Sequence, residues 1–469
     1  MSCLTSVADP KPNPQEADTI VAVSTPPGRG AIGIVRLSGP QSVFIARHLL
    51  RIIAPLDHAH AHFARVLDPD DATKAATIDD AIVTAFLAPQ SYTGEDLVEI
   101  AAHGSPVVLD VILQQAFALG ARLANAGEFT QRAFHSGKLD LTQAEAVHDL
   151  IAAQTLDQAR VAAQQLGGAM SRRVAPAKDS LLHLIALLEA GMDFASGELD
   201  DVDVVAPKQI AAEIEETRAP LQQLADSFRH GQLMRSGAAL ALVGRPNAGK
   251  SSIFNRLLDR NRAIVTPIPG TTRDTVEESL ALGGIPIRLI DTAGLRMEGD
   301  AAADEAERLG IARSHEALAD ADLVLVIHDA TVALSDEERR LAATLEGRPH
   351  LLVYNKIDLA AEALDHDALA TSALTGQGID ALRAAILQQL QAGGALADAG
   401  ALNNLRQRQA ISATLHALEA AREANAVGLP HEIILMDLHA ALRSLDSLTG
   451  ATTPDDILGL IFSTFCIGK

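Results

Sequence analysis

At 469 residues the chain is longer than one domain, and its length points to about three. Apolar residues make up 48% of it, but tryptophan is absent and aromatics reach only 3%, so the cores must be aliphatic and alanine-rich, which favours helices. A net charge of −22 excludes a broad electrostatic grip on nucleic acid and leaves room only for a local basic site.

Residues Met1 to Pro14 hold no apolar core of signal-peptide length. The most membrane-like stretch, Leu181 to Ala190, is interrupted by His183 and Glu189 and is too short to span a bilayer. The two cysteines, Cys3 and Cys466, make no disulfide framework. A soluble, cytoplasmic protein without membrane attachment is expected. The ending Cys466-Ile-Gly-Lys469 has the shape of a prenylation box, but lysine is not a usual last residue there.

Residues 1–138 read as an α+β domain. Thr19 to Val23, Ile32 to Leu37, Ala81 to Phe86 and Leu97 to Ile100 are β-rich. Pro106 opens a helix that runs to Leu119 and stops at Gly120. Gly28, Gly30 and Gly33 spell a dinucleotide fingerprint. The next residues, Ile34 to Leu37, are strand-like, whereas a pyrophosphate site needs a helix N-terminus at that point. A loop feeding a strand is expected, with no nicotinamide or flavin bound.

From 139 to 235 the text turns helical. Thr142 and Glu145 have the spacing of a capping box, and Leu141, Val147, Leu150 and Ile151 share one face. Gly167-Gly168 breaks the run, as does the acidic stretch Ser196 to Asp203, which reads as a solvated turn. Residues 236–392 alternate strand and helix, the order of a parallel sheet with helices on both faces. Ile287 to Ile290, Leu323 to Ile327 and Leu351 to Tyr354 are its short apolar strands. A linker at Gln391 to Ala395 returns the chain to helices in 393–469: Leu402 to Asn425, Leu429 to Leu448, and a last one opened by Thr453-Pro454. The α/β segment is thus an insertion in one helical domain built from both flanks. Within that domain Arg406 and Arg408 read as a solvated helix face, with local nucleic-acid contact as the alternative.

The inserted segment carries the chemistry. The apolar run Ala238 to Val243 leads into Gly244-Arg-Pro-Asn-Ala-Gly249-Lys250-Ser251, and Ser252 to Leu258 continue as a helix. This is the strand, loop and helix of a phosphate-binding P-loop. Backbone amides from Asn247, Ala248 and Gly249 to Ser252 face the phosphates, Lys250 reaches the β and γ phosphates, and Ser251 offers a hydroxyl to Mg²⁺. Thr272, in the switch loop Thr266, Pro267, Ile268, Pro269, Gly270 and Thr271, is the second hydroxyl for Mg²⁺. Asp291, Thr292, Ala293 and Gly294 form the next motif, with Asp291 holding Mg²⁺ through water and Gly294 sensing the γ-phosphate.

Asn355, Lys356 and Asp358 select the base: a carboxylate at Asp358 accepts from N1–H and the 2-amino group of guanine, donors that adenine lacks. Ser372 and Ala373 fit the loop that donates to the guanine carbonyl. The four motifs in order predict a Ras-like GTPase domain. The residue after Gly294 is Leu295, where Ras-type enzymes keep a water-orienting glutamine. Help must therefore come from elsewhere. Asn247, Thr266, Ile268 and Thr271 are candidate ligands for a K⁺ ion that supplies the charge of an arginine finger. Glu305 and Glu307 are candidates for positioning the water; read alone, both are an exposed helix face.

The flanks resemble the MnmE (TrmE) family of GTPases that modify wobble uridine in tRNA. The resemblance rests on Asp18 to Ala22, Thr25-Pro-Pro-Gly-Arg-Gly30, Arg36-Leu-Ser-Gly39, Tyr92-Thr-Gly-Glu-Asp96, Gly127-Glu-Phe-Thr-Gln-Arg-Ala-Phe134 and the ending Phe465-Cys-Ile-Gly-Lys469, and it covers nearly the whole chain. It implies three domains: an N-terminal folate-binding domain that forms the homodimer, a helical domain from two segments, and the inserted GTPase domain. It implies a heterotetramer with the FAD-dependent partner MnmG (GidA) and an aminomethyl-type group, such as carboxymethylaminomethyl, installed at C5 of uridine 34. The resemblance further implies that the one-carbon unit would come from a tetrahydrofolate in its 5-formyl or 5,10-methylene form and that GTP hydrolysis would be stimulated by K⁺.

By motif, the folate pocket would use Arg36, Glu99, Lys138 and Lys469, and Glu307 would be the water-positioning acid through its Glu-Arg-Leu-Gly context, in a chain whose segment Arg296 to Asp304 is longer than the family pattern. Read alone, Arg36 is a surface residue at a strand edge. Cys466 is a candidate for uridine chemistry or for folding of the C-terminal tip; read alone it is a small packed hydrophobe. Two alternatives stay open, a regulatory GTPase of ribosome assembly and a folate enzyme whose GTPase domain only regulates.

Overall fold

A computed structural model describes residues 18–195, 205–245, 247–258, 279–291, 321–334, 338–339, 343–345, 347–360, 369–391, 400–451 and 455–468. The chain divides into two compact units, residues 1–148 with 449–469, and residues 149–448. Among the described residues no helix is long and apolar enough to cross a membrane.

The elements up to the first boundary are β1 (Ile20–Val23), β2 (Ile32–Ser38), α1 (Ser42–Leu49), β3 (Leu50–Ile52), β4 (Ala61–Leu67), β5 (Thr77–Phe86), β6 (Leu97–His103), α2 (Pro106–Ala118), β7 (Arg122–Leu123), α3 (Glu128–His135) and α4 (Leu141–Ala152). The strands form one sheet in the order β3-β4-β5-β6-β2-β1-β7. All neighbours are antiparallel except β1 and β7. Period-two alternation buries Ala81, Val83 and Ala85 of β5 with Val98, Ile100 and Ala102 of β6, and these pack against Ile45 and Leu49 of α1 and Ile112 of α2. The strands read from β-branched runs are all present. β4 (Ala-His-Phe-Ala-Arg-Val-Leu) has little β-branched character, and its pairing to β5 residue by residue makes it a strand.

The glycine run at 28–33 feeds β2, as expected. At Gly33 a Cβ would lie 2.5 Å from Leu109 Cδ1, so this glycine admits α2 onto the sheet. The cap of α4 differs from the expected one. Asp140, not Thr142, is the capping residue: Asp140 Oδ1 accepts the Gln143 amide at 2.9 Å, and Gln143 Oε1 accepts the Asp140 amide at 3.0 Å. Thr142 lies inside the first turn, where its hydroxyl donates to Asp140 Oδ1.

The second unit contains α5 (Leu156–Leu166), α6 (Ala169–Ala195), α7 (Pro207–Asp226), α8 (Phe228–Ser236), β8 (Ala238–Val243), α9 (Lys250–Leu258), β9 (Ser279–Leu282), β10 (Ile285–Asp291), β11 (Leu323–Asp329), β12 (His350–Asn355), β13 (Leu369–Ala370), α10 (Ile379–Gln391), α11 (Leu405–Ala426) and α12 (His431–Thr449). The last helix, α13 (Asp455–Ser463), belongs to the first unit, where Phe462 packs on Phe134 of α3. Gly167-Gly168 does separate α5 from α6. One aliphatic core joins α6 and α7 to α11 and α12 through residues such as Leu181, Ile214, Ile411 and Leu438. A second core lies between the sheet β13-β12-β11-β8-β10-β9 and α9 and α10. That sheet is parallel except for the β9–β10 hairpin.

Of the two residues expected on a solvated helix face, Arg408 is exposed and Arg406 is half-buried. Arg406 donates to the carbonyls of Ser447 and Leu448 at the end of α12, and the Arg408 guanidinium stacks 4.8 Å from the Phe228 ring centre.

Candidate functional site

In a parallel sheet the loops after the carboxyl ends of the strands gather on one edge, where ligands bind at the switch in strand order. Here β8 lies between β10 and β11, so the loop after β8 opens at that switch. All six residues of β8 are buried, which fixes where its loop begins. Gly244 has φ +148, and a Cβ on it would lie 2.2 Å from the Ile327 carbonyl oxygen of β11. Asn247 has φ +64, a left-handed turn tolerated by asparagine, and it is exposed. Gly249 has φ +93, and a Cβ there would lie 2.1 Å from Asn355 Nδ2. The loop therefore needs glycine at both ends for backbone reasons.

Lys250 begins α9, and its ammonium donates to the carbonyls of Gly244 at 2.8 Å and Arg245 at 3.0 Å. The lysine thus spans the loop that precedes it. Ser251 and Ser252 are exposed on the first turn of α9, where free helix amides and the dipole favour an anion.

The other end of the site is built by β12. Asn355 is 1% exposed; its Nδ2 donates to the Ala248 carbonyl at 2.9 Å and its Oδ1 accepts the Ala373 amide at 3.1 Å. One side chain therefore ties the phosphate loop to the Ser372-Ala373 loop. Lys356 has φ +66 and ion-pairs with Asp329 Oδ2 at 2.6 Å. Burial would raise the Asp329 carboxyl, but the Lys356 ammonium and the Thr331 hydroxyl and amide outweigh it and bring it down to about 2. Behind it, His328 and Glu338 form a buried pair at 2.9 Å, and His328 Nε2 lies 2.9 Å from the Val332 carbonyl. Gly249, Ser252, Asn255, Arg256, Asn355, Asp358 and Ala373 are among the residues lining a cavity of about 510 Å³.

Of the residues read from the motifs, Gly249, Ser252, Asn355, Lys356, Asp358 and Ala373 line that one cavity, and Asn247, Ala248, Lys250 and Ser251 belong to the phosphate loop and helix start beside it. Asp291 ends β10, opposite Leu242 of β8. Thr266, Pro267, Ile268, Pro269, Gly270, Thr271, Thr272, Thr292, Ala293, Gly294, Leu295, Glu305 and Glu307 lie outside the described residues, as do the acidic stretch 196–203 and Thr453-Pro454. Two side chains bonded to the loops of this site escaped the sequence reading. Asp329 carried a weak signal, an acid at the end of an apolar strand. Arg256 carried none, since an arginine on a helix face is ordinarily solvated.

The first unit holds a second cluster. Arg36 is not at a sheet edge: β2 lies between β1 and β6, and Arg36 stands opposite Glu99 in the register. Its Nε and Nη2 both donate to Glu99 Oε1, at 3.0 and 2.6 Å, and its guanidinium lies 5.9 Å from the Tyr92 ring centre and 5.7 Å from that of Phe129. The C-terminal tip comes to the same place. The Gly468 carbonyl accepts from Ser24 Oγ at 3.0 Å and Arg36 Nη1 at 3.4 Å, and Ile467 bridges to Ala126. Cys466 is exposed, so it is not a packed hydrophobe; its carbonyl accepts the Gly127 amide at 3.4 Å. Lys138 is exposed, with Cε within 3.8 Å of a Cβ built on Gly94, in the loop that carries Tyr92. Lys469 lies outside the described residues.

An ion network with a buried arginine and glutamate at its centre and partly exposed partners anchors α3. Arg132 contacts Asp18 at 2.6 Å, Glu95 at 3.0 Å and Glu128 at 3.1 Å, and Arg122 pairs with Asp18 and Glu128. Burial would raise Glu128, yet the two arginines and the Asn125 amide hold it below the usual carboxylate range.

The chain is similar to known proteins along nearly all of its length. Residues 19–138 match the family model described as the GTP-binding protein TrmE N-terminus, and residues 141–466 match the MnmE helical domain. A protein named tRNA modification GTPase MnmE from Koribacter versatilis (strain Ellin345) is 52% identical over 460 residues, covering 96% of this chain and 99% of that one. Proteins of the same name from Roseiflexus sp. (strain RS-1) and Chloroflexus aurantiacus are 41% and 42% identical, each over 96% of this chain and at least 99% of their own. With two family models spanning 19–138 and 141–466 and relatives aligned along their full length, the chain belongs to the MnmE (TrmE) family of tRNA modification GTPases.

Proposed function

We propose that the chain is a GTP-hydrolysing tRNA modification enzyme. The observation that carries this is the Asn355 tether, which presents the phosphate loop and the guanine-reading Asp358 to one cavity in a chain whose N-terminal unit matches the TrmE model. Asp358 reads N1–H and the 2-amino group, Asn355 holds the base loop, and the start of α9 with Lys250 receives the phosphates. The oxygen donors suit hard cations: the exposed Ser251 hydroxyl, with Thr272, for Mg²⁺, and Asn247 with Thr266, Ile268 and Thr271 for K⁺. A cation beside the β and γ phosphates would neutralise the charge that builds up as the terminal phosphoryl group leaves. Glu307 orients the attacking water in place of the glutamine that Leu295 replaces, and Thr272 and Gly294 sense the γ-phosphate.

The same reading assigns the Arg36–Glu99 cluster, with Lys138, Lys469 and the C-terminal tip, to a tetrahydrofolate derivative. A pterin's donors suit the carboxylate and a glutamate tail suits the cations. Cys466 sits on that tip as the candidate for uridine chemistry. Together with the FAD-dependent partner MnmG, the protein would install an aminomethyl-type group at C5 of uridine 34, as a homodimer paired through the N-terminal domain. Within the domain division 1–138, 139–235, 236–392 and 393–469, the separate aliphatic cores support setting the α/β segment apart from the helical one, whereas residues 139–148 and 449–469 group with the first unit. Mass spectrometry of tRNA digests from a deletion strain tests the reading. Uridine 34 should lack the modification; a normal digest would reject it and favour a regulatory GTPase of ribosome assembly.

A further inference from the structure

Arg256, on α9, belongs to none of the motifs. Its Nε donates to the Ala373 carbonyl at 3.0 Å and its Nη2 to the Leu374 carbonyl at 2.6 Å. The planar fork of a guanidinium holds two consecutive peptide carbonyls at a fixed spacing and direction, which an ammonium, a point charge on a flexible stem, does not impose. In a trans peptide the N–H lies antiparallel to the C=O, so fixing these carbonyls also fixes the directions of the Leu374 and Thr375 amides. The loop is clamped from its other side as well. Ala373 N–H donates to Asn355 Oδ1 at 3.1 Å, Thr375 N–H to Ser372 Oγ at 3.1 Å, and Gly376 N–H to the Ser372 carbonyl at 2.8 Å.

α9 itself is held in place. Arg383 Nη2 donates to the carbonyls of Arg256 and Leu257 at 3.1 and 3.2 Å, while its Nη1 pairs with Asp380 of α10. The base loop is therefore fastened to the same helix whose first turn receives the phosphates. Packing does little to order its tip, since Leu374 is 78% exposed. Without the clamp, that loop would have to be ordered each time a base entered.

We propose that Arg256 is a positioning residue for guanine recognition, holding the Ala373-Leu374 loop in its base-binding form. The inference rests on the reading of the protein as a GTPase. Arg256 stands at the base end of the cavity, so its loss should weaken binding of the base and leave the hydrolytic step alone.

The test uses the full-length protein and its Arg256→Ala and Arg256→Lys variants. Steady-state GTP hydrolysis gives KM and kcat, and displacement of a fluorescent N-methylanthraniloyl-GDP gives GTP and ATP affinities. Arg256→Ala should raise KM for GTP by about tenfold, the loss of charge-assisted hydrogen bonds, with kcat within about twofold. The preference for GTP over ATP should fall by the same factor, which a general loss of stability would not produce. Arg256→Lys, which keeps the charge but not the planar fork, should fall between, and it carries the same comparison if the alanine variant does not fold. An unchanged KM, or equal losses for GTP and ATP, would overturn the proposal. A native protein with no preference for GTP would overturn the GTP reading along with it; a GTP-selective native protein with an unaffected variant removes only the role of Arg256.

Discussion

Asn355 donates through Nδ2 to the carbonyl oxygen of Ala248, 2.9 Å away, and this bond joins the base motif to the phosphate loop across 107 residues of sequence. Asn355→Ala should therefore damage both loops at once. The buried Ala248 carbonyl and the Ala373 amide lose their partner, a cost of about 1–3 kcal/mol for each unsatisfied group. Guanine nucleotide affinity should fall by about a hundredfold, measured by titration with a fluorescent GDP. Affinity within twofold of the native protein would show that the tether does not shape the site.

Asp358 lines the cavity beside Asn355. Asp358→Asn keeps one oxygen acceptor for N1–H but puts a donor opposite the 2-amino group. GTP binding should weaken and xanthosine triphosphate, with its carbonyl at position 2, should be preferred. Competition between the two nucleotides checks this, and an unchanged preference for GTP would remove Asp358 as the reader of the base.

Asn247 is exposed on the left-handed turn of the phosphate loop, where its side-chain oxygen can meet an ion next to the phosphates. Phosphate release should be faster in K⁺ than in Na⁺ at equal ionic strength, and Asn247→Ala should abolish the difference. Equal rates in the two salts for the native protein would exclude the cation role.

Against the upward push of burial, the Lys356 ammonium and the Thr331 donors hold the Asp329 carboxyl down at about 2, below its ordinary 3.8. A depressed carboxyl contributes stability above its unfolded value and loses it as pH falls through the folded one. The stability difference between the native protein and Asp329→Asn should therefore be full above about pH 4 and shrink between pH 4 and pH 2. Urea unfolding midpoints across that window measure it; a constant difference would mean that the Lys356 pair does not stabilise the base motif.

Arg132 is 6% exposed and faces Asp18, Glu95 and Glu128. Arg132→Met takes the buried cation from Glu95 and leaves Asp18 and Glu128 to Arg122 alone, which should cost up to about 3–5 kcal/mol. Chemical unfolding of the full chain should show the first transition shifted to lower denaturant. A loss below about 1 kcal/mol would place the network among exposed ion pairs.

The GTP motifs were legible because each one is local. A strand, a glycine loop and a helix start are neighbours in sequence, and the backbone at Gly244 and Gly249 demands glycine whatever surrounds it. Strands with β-branched runs and the helix break at Gly167-Gly168 were legible for the same reason. β4 was not, because its alanine and arginine residues carry no strand preference and only pairing to β5 makes them one. The cap of α4 was misread by two residues, because Thr142-Gln-Ala-Glu145 and Asp140-Leu-Thr-Gln143 both satisfy a capping pattern. The backbone chose Asp140.

The same division holds at the sites. Sequence alone determined which residues are the candidates for phosphate and base chemistry, since the types and spacings of such residues are set by the ligand. Only the tertiary structure decided what holds them. Arg256 reaches a loop 117 residues away, and Gly468 reaches Arg36 across 432. Those bonds depend on where strand order and helix packing bring distant backbone carbonyls, and a carbonyl leaves no mark on the identity of its residue.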